Sequence, residues 1–105
     1  MIFPKYCQVL ISATSKQEAD KISDALIQNR LIAGALVLKG PSRYWWKDEI
    51  VEREYFNVQA FSLLQKKSKI IQEVKKIHSD ACPIIAFFKI DGNREFLNWI
   101  RKSIR

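Results

Sequence analysis

Cysteine is scarce in this 105-residue chain: Cys7 and Cys82 are the only two. Two thiols cannot build a disulfide framework, and without a Cys-x-x-Cys spacing they suggest neither a zinc site nor a redox motif. Reduced thiols are expected. Glycine is nearly as sparse, at Gly34, Gly40 and Gly92, and none belongs to a phosphate-cradling loop. The single histidine, His78, has Ser79 and Asp80 beside it, too close in sequence for a preformed Ser-His-Asp triad. Long apolar runs are also missing. The longest, Pro83 to Phe88, is far short of the roughly 20 residues of a membrane span. Met1-Ile2-Phe3-Pro4-Lys5 lacks the charged start and long apolar middle of a signal peptide. These absences predict a cytoplasmic protein with no membrane partner.

What is present can fill one core. The sequence is 48% hydrophobic and 11% aromatic, which suits one domain over residues 1–105. A formal charge of +7, with an isoelectric point near 9.6, leaves room for an anionic partner.

Cys7 to Thr14 is apolar and β-branched and reads as a first strand. It ends at Ser15-Lys16-Gln17-Glu18, a capping box in which Ser15 accepts from the amide of residue 18 and Glu18 reaches back. The helix that follows buries Ala19, Ile22, Leu26 and Ile27 and ends near Asn29. Leu31 to Leu38 reads as strand two, with a bend at Gly40-Pro41. Ser42 to Trp46 resumes β-favouring residues before a polar tip, Lys47-Asp48-Glu49. The returning limb, Ile50 to Leu64, carries apolar residues on both faces: Phe56, Val58, Ala60 and Leu64 on one, Tyr55, Phe61 and Leu63 on the other. So small a domain cannot cover both faces with its helices, so a neighbouring subunit is expected to bury the remainder.

A second helix, Lys66 to Ile77, buries Ile70, Ile71, Val74 and Ile77. Strand four runs from Cys82 to Ile90, and a terminal helix from Arg94 to about Ser103 turns Phe96, Leu97 and Ile100 inward. The fold class is therefore α+β: a ferredoxin-like β-α-β-β-α-β order with a long β2–β3 hairpin and an extra C-terminal helix. Strand four should lie antiparallel to strand one, with Cys82 near Thr14 and Cys7 roughly 20 Å along the sheet. That distance excludes a Cys7–Cys82 bridge. Both cysteines read as small buried residues.

Several segments together resemble the CutA family of divalent-cation-tolerance proteins. Val9 to Thr14 with its Glu-containing helix resembles the family's opening, and Arg30-Leu31-Ile32-Ala33-Gly34-Ala35 is similar to its Arg/Lys-Leu-Ala-Ala segment. Ser42-Arg43-Tyr44-Trp45-Trp46-Lys47-Asp48-Glu49-Ile50 resembles its aromatic stretch and turn. His78 with Pro83, and Gly92-Asn93 with Phe96-Leu97-Asn98-Trp99-Ile100, are similar to its closing segments. The resemblance implies a homotrimer joined through the extended hairpin, no catalytic activity, and a role in tolerance to copper or another divalent cation. The chain departs from the family where His-Pro-Tyr is replaced by His78-Ser79-Asp80, and where Lys47-Asp48 replaces the usual tip glycine.

On this reading Tyr44, Trp45 and Trp46 carry the trimer interface, since large aromatics dominate interface energetics. His78 and Cys82 are the metal candidates, imidazole and thiolate being ligands for copper or zinc. Without metal, His78 reads as a helix C-terminal residue favoured by the dipole. Two alternatives from other classes remain. One is an RNA-recognition module of the same strand order. Arg53-Glu54-Tyr55-Phe56-Asn57-Val58-Gln59-Ala60 keeps Arg53, Tyr55 and Val58 of its third-strand pattern but loses the glycine and two aromatics, so a nucleic-acid partner is disfavoured. The other is a regulatory trimer with a small molecule in its subunit clefts. Lysines 66, 67, 69, 75 and 76, with Arg101, Lys102 and Arg105, could meet an anion or simply face water.

Overall fold

The computed structural model describes residues 5–104. The leader reading of Met1 to Pro4 and the cation of Arg105 fall outside the described residues. The element order is β1 (Tyr6–Ile11), α1 (Lys16–Gln28), β2 (Gly34–Trp46), β3 (Glu49–Leu63), α2 (Lys67–Ile77), β4 (Ile85–Lys89) and α3 (Arg94–Ser103), with one 3₁₀ turn over Leu64–Lys66. The strands form one antiparallel sheet in the order β2-β3-β1-β4. This is the ferredoxin-like arrangement expected from the sequence, with its long hairpin and terminal helix.

Period-two alternation sorts the sheet residues onto its two faces. Cys7, Val9 and Ile11 of β1, with Val58 and Ala60 of β3, join Ala19, Ile22, Leu26, Ile70 and Val74 of α1 and α2 in the main core. A second cluster lies across the sheet, where Leu63 and Phe61 meet Ile100, Ile104, Phe96 and Leu97. The two-faced reading of β3 therefore holds, but part of the second face is covered by the chain's own α3. Farther along that face, Leu36 and Leu38 are left 54% and 48% exposed.

Four boundaries differ from expectation, each for a local reason. β1 stops at Ile11 because Ser12, with amide and hydroxyl both bonded to the Ile84 backbone, ends the regular ladder. β2 begins at Gly34, not Leu31; Leu31 and Ile32 are buried in the connection after α1. No bend forms at Gly40-Pro41: both sit in the ladder opposite Tyr55 and Glu54. Pro41 is tolerated because β2 is an edge strand, where a missing N–H need not break a pairing. β4 begins at Ile85 rather than Cys82, since Pro83 cannot donate to a ladder. Cys82 thus lies in the loop after α2, and it is exposed.

The hairpin tip is Lys47-Asp48, with φ of 50° and 63°. Positive φ at both central residues of a two-residue loop is the type I′ turn, whose twist matches that of the flanking strands.

Candidate functional site

The loop between α2 and β4 meets the hairpin on one side and the start of α1 on the other. Its anchor is His78, the residue capping α2, whose amide donates to the Val74 carbonyl at 2.9 Å. The imidazole is only 1% exposed. Its Nε2 bonds the Ser12 carbonyl, and since a carbonyl can only accept, Nε2 carries the proton. Nδ1 accepts from the Asp80 amide at 3.0 Å and lies 3.1 Å from Glu18 Oε1.

Glu18 is the hub that the sequence hid. Half of the capping box forms, with the Glu18 amide donating to Ser15 Oγ at 3.1 Å. The carboxylate does not reach back. Instead its Oε2 accepts from the hydroxyls of Thr14 and Ser79, each at 2.7 Å, and Oε1 accepts from the Ser79 amide at 3.3 Å. Partial burial pushes the carboxyl pKa up, but these hydrogen bonds outweigh it and hold the group below its ordinary value.

With residues 78 to 80 fixed, Asp80 points toward the hairpin. Its Oδ2 accepts from the Tyr55 hydroxyl at 3.1 Å, and Oδ1 lies 3.8 Å from Arg53 Nη1. The Tyr55 hydroxyl is also 3.1 Å from that of Tyr44, the two rings meeting edge to face at 6.0 Å. Burial, the bond to Tyr44 and the neighbouring Asp80 all push the Tyr55 pKa up, so the phenol stays neutral. A cavity of about 400 Å³ opens here, lined by Tyr44, Trp46, Arg53, Tyr55, Asp80 and Cys82 among others. It offers a guanidinium, a carboxylate, two phenols and a thiol against an indole.

The three aromatics named from the sequence do not act as one face. Tyr44 and Trp46 share the face of this cavity, whereas Trp45, opposite Ile50 in the ladder, points the other way. Trp45 is 71% and Ile50 58% exposed. The metal candidates are also unlike each other: His78 is enclosed with both ring nitrogens engaged, and Cys82 is open to solvent. Among the described residues no group of three or more His, Cys, Asp or Glu side chains is arranged to hold a metal ion. The other thiol, Cys7, is fully buried, and desolvation pushes its pKa up to about 11. The expectation of two buried cysteines is right for Cys7 and wrong for Cys82.

Sequence reasoning missed Arg53, Tyr55 and Asp80 as one group. The available signal was the hairpin register, which places Tyr44 and Tyr55 on the same face. Nothing local in the sequence announces that Asp80 meets them.

Comparison with known proteins gives a consistent result. The family model described as CutA1 divalent ion tolerance protein matches residues 7–103. The divalent-cation tolerance protein CutA of Thermus thermophilus is 33% identical over 97 residues, covering 90% of this chain and 94% of that one. Its solved structure superposes with a TM-score of 0.91 at 30% identity, over 95% of this chain and 99% of that one. A structure described as the periplasmic divalent cation tolerance protein CutA from Archaeoglobus fulgidus gives a TM-score of 0.92 at 29% identity, with the same shares of each chain.

Proposed function

The chain belongs to the CutA1 divalent ion tolerance family, and from that premise we propose that it acts in divalent-cation tolerance as a homotrimer that binds rather than turns over. One observation carries the assembly: the hairpin and the sheet beyond α3 expose Leu36, Leu38, Trp45, Trp46 and Ile50. Large apolar side chains left open on both faces of the hairpin are costly in a free monomer and ordinary in a subunit contact. The names of the relatives support the tolerance role. Sedimentation velocity across micromolar to nanomolar protein tests the trimer; a monomer at every concentration refutes it.

Copper is the cation we propose. The described residues of a lone protomer do not make a closed copper site, so the thiol of Cys82, exposed at the cavity mouth, is its first donor and other subunits complete it. His78 contributes only if its ring leaves Ser12 and Asp80. Copper titration of the wild type against Cys82→Ser and His78→Ala separates the roles, and a stoichiometric site that survives both substitutions removes the assignment. The cavity beside Arg53 and Asp80 also favours a second reading, a regulatory trimer holding a small polar molecule. Retention of a metabolite by the purified trimer would support it.

The proposal includes a cytoplasmic location, where Cys7 and Cys82 stay reduced. The periplasmic description of the Archaeoglobus fulgidus relative applies to that protein. Fractionation of cells expressing the chain decides between them.

A further inference from the structure

Five of the eighteen lysines and arginines of this protein are gathered at one end. Where β1 begins and β3 and β4 finish, Lys5, Lys66, Lys67, Lys69 and Lys89 come together from three separate stretches of chain. The Leu64 amide donates to the Lys5 carbonyl at 2.9 Å, Lys89 stands opposite Cys7 in the ladder, and Lys67 Nζ lies 5.7 Å from the centre of the Phe87 ring. None of the five forms an ion pair among the described residues. The nearest carboxylate in sequence, Asp91, turns onto the Gly92 amide at 2.8 Å, and Glu95 accepts from Asn93. Asp48, Glu49, Glu52 and Glu54 lie along the hairpin, at the far end of a molecule 48 Å long and 24 by 22 Å across.

This arrangement is not a helix face left to water. Three of the lysines crowd the start of α2, whose first turn has no acidic residue and whose N-cap, Lys66, makes no side-chain cap bond. Cations there oppose the helix dipole, and like charges repel across the gap to Lys5 and Lys89. A local rule broken with only the Lys67–Phe87 contact to offset it inside the fold marks a place where further compensation comes from outside.

We propose that this lysine-rich end docks on an anionic phospholipid surface. All five charges are ammonium groups on flexible stems, which gain from a field of negative headgroups without needing a fixed register. Nucleic acid would favour guanidinium forks and exposed rings for bases. The cluster contains no arginine; Phe87 is partly buried below Lys67, and half-exposed Phe88 is one ring where a bound strand stacks several. The inference holds for any subunit count, and several copies on one assembly raise the avidity.

The test is co-sedimentation of the full chain with phosphatidylcholine vesicles containing about one-third phosphatidylserine, beside vesicles of phosphatidylcholine alone and a short DNA duplex. Binding only to the anionic vesicles, lost in high salt, is expected. Lys66→Gln/Lys67→Gln/Lys69→Gln should weaken it roughly a hundredfold, from the attraction each lysine supplies near such a surface. A control with the same charge loss outside this cluster, Lys21→Gln/Lys47→Gln/Lys75→Gln, should change it far less. Equal loss in the two variants overturns the proposal in favour of net charge alone. Absence of vesicle binding, or tighter capture by the duplex, overturns it as well.

Discussion

Trp45→Ala is the sharpest probe of the assembly. Trp45 stands opposite Ile50 near the hairpin tip and is 71% exposed, so removing it takes little from the fold of one protomer. A tryptophan presents about 200 Å² of surface; covering the exposed part would remove about 140 Å² from water, or about 3.5 kcal/mol at 25 cal/mol per Å². Ordering and imperfect packing reduce that figure, and about 2–3 kcal/mol per contact is the working value. Each contact should then weaken by a factor of roughly 30 to 150. Sedimentation velocity of the variant should show monomer at concentrations where the wild type is wholly assembled, with unchanged far-ultraviolet circular dichroism. A variant that assembles as tightly as wild type would show that Trp45 lies outside the interface.

Three further outcomes follow from local chemistry. Asp48 sits at φ 63° in the hairpin tip, so Asp48→Gly should stabilise the fold by about 1 kcal/mol in urea melts, and a loss of stability would argue against the I′ assignment. Cys82 should react readily with iodoacetamide while buried Cys7 does not; because the Cys7 pKa is raised from 9.0 to about 11, stability should fall as pH rises through that interval, and Cys7→Ala should flatten the fall. Glu18 is the opposite case: its carboxyl is held below 4.5, so it stabilises the fold above that pH and the contribution disappears on further acidification. Chemical melts at descending pH should show a shallower loss for Glu18→Gln, and parallel curves would remove Glu18 from its role.

The elements were legible because hydrophobic period and helix-start chemistry act locally. Ser15 announced α1, and the stripes Ile70-Val74 and Ala19-Ile22-Leu26 announced the faces that are buried. Strand ends were less legible because they depend on partners distant in sequence. Ser12 ends β1 through Ile84, and a proline read as a bend is absorbed by an edge strand. The site was least legible of all. Tyr55 reads as one aromatic in an alternating strand, and only folding shows its hydroxyl bridging Tyr44 and Asp80. The capping box misled for the same reason: the Glu18 carboxylate had a better set of donors available, sixty-one residues away at Ser79.

That substitution of partners links stability to function. The loop carrying Asp80 and Cys82 has no regular secondary structure of its own between Ile77 and Ile85; it is placed by His78 on Ser12 and by Ser79 on Glu18. A carboxylate at the start of α1 therefore decides where the cavity's acid and thiol stand, although it lines no part of that cavity. Loosening Glu18 should free Asp80 from Tyr55 and Arg53 and let Cys82 move with it, before the core of Ile22, Val58 and Val74 is disturbed. The consequence is an order of events under acid: the site loosens first and the sheet melts later, because the loop is held through the carboxylates of Glu18 and Asp80 and the core through none.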